Sequence, residues 1–538
     1  MKFFKINIAL LYFAGYATSL NAQVVVPTPG VSKTLEKKEE RKPAVNQNWE
    51  HLSFSKDGVY GIESDKAHKE FPNGKTKKKL IVAIIDSGVD TAHADLKNML
   101  WTNTKEIKGN GKDDDNNGYI DDIHGWNFLG TADGKTNVVK TNLEADREYL
   151  RLKEQNINVP FDTYRTDPKY AYYRSVTEKS AIGSKEMAVQ VVQKLSEASK
   201  RLVKEIQQEK PGAVLRLSDY GSYESTDTMA IHAQSAVMTA ASFTRVPDTT
   251  ALLPWVERFF GNMVTSNNEA YLEAKASVAD NRSFMGDDFK HNASPYYGNN
   301  TLLLGNAMHG THVAGIVAAE RNNNIGIDGI ADNVSIMAIR AVPDGDEYDK
   351  DIANAIRYAV NNGAKIINMS FGKPFSPQKK WVDDAFKYAE QKGVLIVKAA
   401  GNDAKNLDVE KSFPDAVFLD GTKAGNVITV GASTADGSAA KFSNYGQTTV
   451  DLFAPGMDIY STVPDNEYKY LPGTSMASPV VAGTAALVWT RFPNLTYLQL
   501  KEILLKSVTK VPGTFSTLSV TGGIVNAYEA LKLAKTYK

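Results

Sequence analysis

The stretch LPGTSMASPVVAGTAALVW, from Leu471 to Trp489, is a long run of small and apolar residues with a glycine and a serine near its start. The part from Val480 to Val488 is apolar on every side, which predicts a buried helix. Pro479 suits the first turn of that helix, where a missing N–H costs nothing. Ser475 then lies at the helix N-terminus, where unpaired N–H groups favour negative charge. It is either a helix cap or a nucleophile, and a nucleophile needs a histidine and a carboxylate elsewhere.

Composition limits the partners of this chain. Its 538 residues are enough for two or three domains, or for one large domain with an insertion. Hydrophobic residues make up 42% of the chain, which supports a packed core. The 62 basic residues are balanced by 62 acidic ones, so charge gives no reason to expect binding to nucleic acid or to an anionic membrane. We therefore predict no nucleic-acid partner.

The N-terminal residues are typical of a secretory signal. Two lysines precede an apolar stretch from Ile6 to Tyr16, and Ala22 suits cleavage before Gln23. The apolar stretch is too short to span a bilayer, so residues 1–22 are predicted to be a signal peptide.

The residues after the predicted signal contain no further membrane segment. Residues 23–48 are rich in Pro, Lys and Glu and are predicted to be a flexible lead-in. No later stretch is long and apolar enough to cross a bilayer, so no transmembrane segment is expected in the mature chain. The chain has no cysteine, which excludes disulfides. We expect a protein exported to the periplasm, the cell surface or the exterior.

A predicted buried strand ends at an aspartate. Leu80 to Ile85 is a continuous apolar run with β-branched residues, typical of a strand in a parallel sheet. Asp86 follows directly, and α/β proteins place functional side chains at the carboxyl ends of such strands. Asp86 is therefore either a functional carboxylate or an ordinary turn residue.

Two histidines begin a second helix of small residues, in the stretch HGTHVAG. His309 is nearer the predicted helix start and is the better candidate to face a cleft. His312 is predicted to be packed and hydrogen-bonded. A zinc pair is the alternative, but zinc helices usually separate their histidines by four positions and carry a glutamate between them.

An asparagine follows another predicted strand, in the stretch GVLIVKAAGND. The amide of Asn402 comes after a turn that Gly401 permits, and it can donate a hydrogen bond to a developing alkoxide. Taken alone, a Gly-Asn pair is also ordinary turn chemistry.

In chain order, these stretches read DSGVD, HGTHVAG, NMSFG, AAGN and GTSMASP. The set resembles the subtilisin-like serine proteases (subtilases), in which the catalytic residues follow the order Asp, His, Ser. The resemblance covers about residues 78–130 and 295–535. An α/β-hydrolase esterase is excluded, because that class needs G-x-S-x-G and the order Ser, Asp, His.

The resemblance implies a role for each matching residue. Ser475 is the implied nucleophile, His309 the general base and later general acid, and Asp86 the carboxylate that orients the imidazole. Asn402 is the implied oxyanion-hole amide, acting with the Ser475 N–H. The backbone of NMSFG is implied to bind substrate as an added strand. The residues implied to bind substrate are Ser370, Phe371, Gly372, Ala400 and Gly401.

The fold implied is α/β, with a mostly parallel subtilisin-like sheet that has helices on both faces, plus a helical insertion. The sequence agrees, because four β-rich runs are separated by helical spacing. An amphipathic helix in DIANAIRYAVNNGA is predicted to end at Gly363. The four runs are SIMAIRAV, AKIINMSFG, VLIVKAAG and NVITVGAS.

Asp86 and His309 are 223 residues apart, far more than in compact members of the family. The catalytic domain is therefore predicted in two parts, residues 49–142 and 295–538, with a helical insertion at 143–294. Within the insertion, apolar residues at a spacing of three to four predict a helix capped by Ser184 and ended by Pro211. Because the insertion begins and ends close to the Asp and His motifs, we expect it near the substrate cleft.

The stretch GNGKDDDNNGYIDDIHGWNF predicts a calcium site. Asp113, Asp115, Asn117 and Asp121 match oxygen-ligand positions of an EF-hand loop. The twelfth position holds a histidine rather than the bidentate glutamate, so that ligand is either absent or supplied from elsewhere, for which Asp122 is available. A solvated acidic turn without an ion is the alternative.

Together these features predict an exported serine endopeptidase. It would hydrolyse protein or peptide substrates through a Ser-His-Asp triad and an acyl-enzyme intermediate, with structural Ca²⁺ and no organic cofactor. The alternative is a catalytically weak adhesion or scaffolding protein that uses the helical insertion on a protease fold.

Overall fold

The computed structural model describes residues 47–72, 79–155, 163, 166–277, 282–286, 295–305 and 307–537. The predicted signal peptide and all but the last two residues of the predicted lead-in lie outside the described residues. The described residues divide into two compact units. One consists of those in Tyr149–Val278, and the other of those in Lys42–Glu148 and Ala279–Lys538. The first unit lies inside the bounds predicted for the insertion.

The elements of both units are numbered in chain order. The strands are β1 Leu80–Asp86, β2 Gly125–Asn127, β3 Val334–Arg340, β4 Ile366–Met369, β5 Leu395–Ala399, β6 Val427–Ser433, β7 Leu452–Pro455, β8 Ile459–Val463, β9 Glu467–Leu471, β10 Thr509–Lys510 and β11 Gly523–Ile524. The helices are α1 Phe54–Asp57, α2 Ser64–Glu70, α3 Glu144–Gln155, α4 Ala171–Lys179, α5 Ala181–Glu209, α6 Leu217–Gly221, α7 Thr228–Phe243, α8 Leu252–Ser277, α9 Met308–Ala318, α10 Asp349–Asn361, α11 Lys379–Gln391, α12 Thr474–Arg491, α13 Tyr497–Lys506 and α14 Ala527–Ala534. Short 3₁₀ turns cover Trp49–His51, Lys97–Met99, Pro168–Tyr170 and Ser283–Met285.

The larger unit is built on a nine-stranded sheet with the order β10-β11-β7-β6-β5-β4-β1-β3-β2. Every pairing in it is parallel except that of β10 with β11. A separate antiparallel hairpin pairs β8 with β9. The α/β class with a mostly parallel sheet is therefore confirmed.

Helices cover both faces of this sheet, and the alternation of side chains along β1 shows why. Val82 and Ile84 pack into one hydrophobic core together with residues of α9 and α12. Ala83 and Ile85 point to the opposite face and pack into a second core with residues of α10 and α11. A strand buried on both faces needs apolar residues at every position, which is the pattern of a parallel strand. The sheet is thus the middle of three layers.

The smaller unit has a hydrophobic core of its own. The long helices α5, α7 and α8 contribute Leu202, Val237 and Phe260 to it, all of them buried. The predicted cap of the first of these helices was wrong. The α5 helix begins one turn before Ser184, and the Ser180 hydroxyl caps it by accepting a hydrogen bond from the backbone N–H of Gly183 at 2.9 Å.

A second difference concerns the helix that carries Ser475. The sequence predicts Pro479 in the first turn of this helix. That prediction was wrong, because α12 begins at Thr474 and Pro479 therefore lies in its second turn. A proline there leaves the carbonyl oxygen four residues earlier, that of Ser475, without its helical donor. The hydroxyl of Ser370 replaces that donor at 2.9 Å. The proline therefore opens a hydrogen-bonding position at the turn that carries Ser475.

In the part of the chain that the structure describes, none of the helices combines the length and apolar character needed to cross a membrane.

Candidate active site

Three adjacent strands end at the residues that the sequence analysis singled out. In the sheet, β4 lies between β5 and β1. Asp86 is the last residue of β1, Ser370 directly follows β4, and Asn402 lies three residues after the end of β5. The strands are parallel, so these ends share one edge of the sheet, the edge where α/β proteins hold their ligands.

Asp86 and His309 are hydrogen-bonded to each other. The distance between Asp86 Oδ1 and His309 Nδ1 is 2.7 Å, and the same oxygen accepts from the Ser87 N–H at 2.7 Å. The Asp86 side chain is 2% exposed, whereas that of His309 is 31% exposed. The carboxylate is thus buried behind a ring that reaches solvent. This arrangement holds Nδ1 protonated and leaves Nε2 free to accept a proton.

The electrostatic surroundings of His309 favour its protonated form. Burial by itself lowers the pKa of the ring, but the charge of Asp86 and the hydrogen bond to it outweigh burial and raise that pKa above its ordinary value. A base whose pKa is raised in this way is better able to take a proton from a hydroxyl.

His312 differs from His309. It is fully buried, its Nε2 lies 2.9 Å from the carbonyl oxygen of Lys469, and burial lowers its pKa to about 4. A neutral ring bonded to a carbonyl inside the protein has a packing role. The two histidines therefore face different partners, which gives no support to a zinc pair.

Ser475 is the second residue of α12, and its hydroxyl donates to the carbonyl oxygen of Ser370 at 3.1 Å. Ser475 and His309 are both among the described residues, and there is no hydrogen bond between the Ser475 hydroxyl and the His309 ring. In serine hydrolases without substrate, this contact is often long or poorly aligned. Because Ser370 Oγ also donates to Ser475 O, the two serines are joined by two hydrogen bonds.

The Asn402 amide is oriented by the first residue of α12. Its Oδ1 accepts from the N–H and from the hydroxyl of Thr474, both at 2.9 Å. Its Nδ2 and the Ser475 nitrogen are both close to Gly473, since a Cβ placed on that glycine would be 3.7 Å from the first nitrogen and 3.5 Å from the second. Gly473 has φ +149°, so a side chain there would be strained as well as obstructive. These two donors flank one small space.

We expect Asn402→Ala to lower kcat by about 10²–10³-fold with little change in KM. The amide contact would strengthen only as charge develops on the substrate oxygen, so its loss affects the transition state more than the bound substrate. Thr474→Val is the matched variant, because it removes a hydroxyl that orients the amide but keeps the amide itself. Steady-state kinetics of both variants on one peptide substrate check this, and an Asn402→Ala enzyme with unchanged kcat would contradict it.

The predicted substrate-binding residues fall into two groups. Ala400 and Gly401 use their backbone inside the protein: Ala400 N–H donates to Val430 O at 2.9 Å, and Gly401 N–H donates to Thr474 Oγ1 at 3.1 Å. Within the described residues, no group is hydrogen-bonded to the backbone of Phe371 or Gly372. The segment Ser370–Gly372 therefore keeps backbone groups available to an added strand, whereas Ala400 and Gly401 can only line the site.

In the acidic loop, the structure brings together two of the four predicted calcium ligands and one residue that the sequence analysis missed. Carboxylate oxygens of Glu106, Asp113 and Asp115 lie within 4.8 Å of one another. Glu106 reaches the loop through hydrogen bonds that its two oxygens accept from the N–H groups of Asp114, Asp115 and Asp121. No sequence motif contains Glu106, so only the folded loop could have identified it.

The other predicted ligands have other partners. Both carboxylate oxygens of Asp121 accept backbone N–H groups, from Gly109 at 2.6 Å and from Gly111 at 2.9 Å. Asn117 Oδ1 accepts from Tyr119 N–H at 2.8 Å, and its Nδ2 donates to Asp122 at 3.1 Å. Asp122 itself is fully buried. These side chains shape the loop rather than join the cluster of three carboxylates.

Comparison with known proteins identifies the family of the chain. The profile of the "Subtilase family" matches residues 77–522. The chain is 42% identical over 224 residues to the "Thermophilic serine proteinase" of Bacillus sp. (strain AK1). The aligned region covers 41% of this chain and 52% of that protein. It is 37% identical over 225 residues to "Subtilisin BL" of Lederbergia lenta, which covers 42% of this chain and 77% of that protein.

A protease from Pseudoalteromonas arctica PAMC 21717 is similar among solved structures, at 32% identity and a TM-score of 0.38 over 44% of this chain and 74% of that one. The match to the thermophilic proteinase spans about half the length of that relative. The family profile, in contrast, covers most of the chain, from just before β1 to the residue before β11. The chain therefore belongs to the subtilase family.

Proposed function

We propose that this chain is a serine endopeptidase that hydrolyses peptide bonds through Ser475, His309 and Asp86. The observation that carries the proposal is the hydrogen bond between His309 and the buried Asp86, at the sheet edge where Ser475 lies in the first turn of α12. Two oxyanion donors beside Gly473 support the same chemistry. Membership of the subtilase family supports it further.

The reaction would begin with rotation of the Ser475 hydroxyl from Ser370 O towards His309 Nε2. The oxygen attacks the substrate carbonyl carbon while His309 takes the proton, and Asp86 stabilises the imidazolium that forms. The negative oxygen of the tetrahedral intermediate accepts hydrogen bonds from Asn402 Nδ2 and the Ser475 N–H. His309 then gives its proton to the leaving amine, which yields the acyl-enzyme, and water releases the acid by the same two steps.

The substrates would be proteins or peptides in extended conformation. Such a chain can add as a strand to Ser370–Gly372, since the backbone of Phe371 and Gly372 is otherwise unpaired among the described residues. We propose that the protein acts after export, and the signal-like residues 1–22 support this proposal.

Labelling with a fluorophosphonate probe, followed by mapping of the modified residue and digestion of casein, tests the proposed function directly. Modification of Ser475 together with casein hydrolysis is expected. An unlabelled protein that does not digest casein would reject the proposal.

We propose further that the acidic loop binds one Ca²⁺ ion. The donors that fit are the carboxylates of Glu106, Asp113 and Asp115, which are the hard oxygen ligands that Ca²⁺ prefers. Lys105 Nζ lies 3.8 Å from Asp115 but is largely exposed, so it compensates little of the three negative charges. A bound cation would relieve that repulsion and hold the loop that leads to β2.

Removal of calcium is therefore expected to lower the melting temperature. An ion bound only by the folded state adds about 2.7 kcal/mol to the unfolding free energy at a concentration of 100 Kd. Differential scanning fluorimetry with added CaCl₂ and with EDTA measures the effect. The difference should vanish in Asp113→Ala/Asp115→Ala and persist in Asp133→Ala, an exposed aspartate outside the loop. Equal melting temperatures of the wild type in both conditions would favour a solvated turn.

A further inference from the structure

A buried lysine directly follows the substrate-binding segment Ser370–Gly372. The Lys373 side chain is 1% exposed, and its Nζ contacts Glu144 Oε2 at 2.7 Å, Asp349 Oδ1 at 2.8 Å and Glu347 O at 2.8 Å. All three N–H groups of the ammonium can therefore be satisfied. A buried charge with complete pairing holds its side chain in one place.

The pairing keeps both partners ionised. Burial by itself would lower the pKa of Lys373, but the carboxylates of Asp349 and Glu144 outweigh burial and raise that pKa above its ordinary value. Burial would likewise raise the pKa of Glu144, but Lys373 and Arg147 together lower it. The group is thus a fixed ionic network at neutral pH.

The network also holds the chain beside the substrate-binding segment. Arg147 donates to Glu144 at 2.6 Å and to the carbonyl oxygens of Asp346 and Glu347, both at 3.1 Å. Lys373 contacts the same Glu347 carbonyl. One network of Lys373, Glu144, Arg147 and Asp349 therefore ties the segment at 346–349 to the residue after Gly372. These four residues are called the lysine network below.

The substrate-binding segment is fixed at both ends. At its start, Ser370 exchanges two hydrogen bonds with Ser475, at 2.9 and 3.1 Å. At its end, Lys373 N–H donates to Phe413 O and Phe413 N–H donates to Lys373 O, each at 2.9 Å. Only Phe371 and Gly372 lie between these anchors. Their backbone orientation therefore depends on where Lys373 is held.

We propose that Lys373 is a positioning residue for substrate binding, which acts through the backbone of Phe371 and Gly372. The inference rests on the proposed function. The lysine network aligns this backbone so that an extended peptide can add to it as a strand. Loss of the network leaves the triad and the oxyanion donors in place but loosens the peptide register, because the anchor at Ser370 is separate.

The test compares two substrates that use the segment to different extents. The first substrate is the tetrapeptide 4-nitroanilide that the wild type hydrolyses fastest among a panel of such peptides, and it would pair with Phe371 and Gly372. The second, p-nitrophenyl acetate, is too small to reach these residues. In Lys373→Met, KM for the tetrapeptide is expected to rise about 10- to 100-fold, with hydrolysis of the acetate little changed. Lys379→Met is the matched control, because it breaks a comparably buried pair with Asp383, 2.6 Å long, within α11.

Breaking a buried pair can prevent folding, so Glu144→Gln is measured as well, since it removes the charge but keeps an acceptor for Lys373. A rise in tetrapeptide KM in either variant, absent from Lys379→Met, supports the inference. Parallel losses on both substrates, or no change in KM, would overturn it.

A further measurement is the binding of an amide of the same tetrapeptide sequence. Calorimetry compares its Kd for Ser475→Ala with its Kd for the double variant Ser475→Ala/Lys373→Met. Weaker binding in the double variant is expected even if the wild type proves inactive. An inactive wild type would thus reject the proposed function. An equal Kd of the single and the double variant would reject this inference.

Discussion

Ser475→Ala is expected to lower the rate of peptide hydrolysis by about 10⁴-fold or more. The hydroxyl is the atom that would attack the carbonyl carbon, and alanine keeps the helix start, the Ser475 N–H and the fold. Residual activity would come from the oxyanion donors and from substrate binding. The measurement is kcat/KM on a chromogenic peptide for purified wild type and variant, together with fluorophosphonate labelling of both.

Ser222→Ala serves as the control, since this serine is exposed on the smaller unit. It should be labelled and active like the wild type. His309→Ala should lose labelling although Ser475 is intact, because the nucleophile would then lack its base. If Ser475→Ala kept full activity, the triad assignment would be wrong, and an inactive wild type would favour the adhesion or scaffolding alternative.

The sheet could be predicted from sequence because its strands are buried on both faces. Such strands need apolar residues at every position, and the run from Leu80 to Ile85 is therefore visible without any structure. The residue that ends such a run must lie at the sheet edge. This is why Asp86 and Asn402 could be named as candidates, although the order of strands that brings them together is a property of the whole chain.

Contacts between loops could not be predicted in this way. Glu106 joins the carboxylates of Asp113 and Asp115 because the chain between them turns back through Gly109 at φ 76° and Gly111 at φ 70°. A ligand template assumes the loop conformation of the family it comes from. In this chain the carboxylate of Asp121 accepts the N–H groups of Gly109 and Gly111. Asp121 therefore occupies a ligand position of the EF-hand template in sequence, but its oxygens do not join the other carboxylates.

Helix boundaries were missed where a local rule allows two answers. Both Ser180 and Ser184 are suitable caps for α5, and the earlier one is used because Ile182 and Gly183 are buried. The sequence favours a first-turn position for Pro479, because a proline is least costly there. The structure instead compensates for it with the Ser370 hydroxyl, a residue more than a hundred positions away. Burial and distant hydrogen bonds therefore decide between alternatives that are locally equivalent.

Asp86→Asn is expected to lower kcat by about 10⁴-fold while the enzyme stays folded. The asparagine has nearly the same shape, but its amide can donate to His309 Nδ1, which would place the ring proton on Nε2. His309 would then have no lone pair for the Ser475 proton. Asp90→Asn is the matched control, because Asp90 is also buried and accepts backbone N–H groups, from Ala92 at 2.9 Å and Asp465 at 3.2 Å, but is not hydrogen-bonded to the His309 ring.

The same variant has a predictable effect on pH dependence. The proposed reaction needs neutral His309, so the wild-type rate is expected to fall as pH drops through the raised pKa of that ring. Asp86→Asn removes the charge that raises the pKa and leaves the burial that lowers it, so the acid limb of the residual kcat/KM should move to lower pH. Profiles from about pH 4 to pH 9 for the wild type, Asp86→Asn and Asp90→Asn measure the shift. An acid limb that stays in place, or moves to higher pH, would show that Asp86 is not the group that sets the protonation of His309.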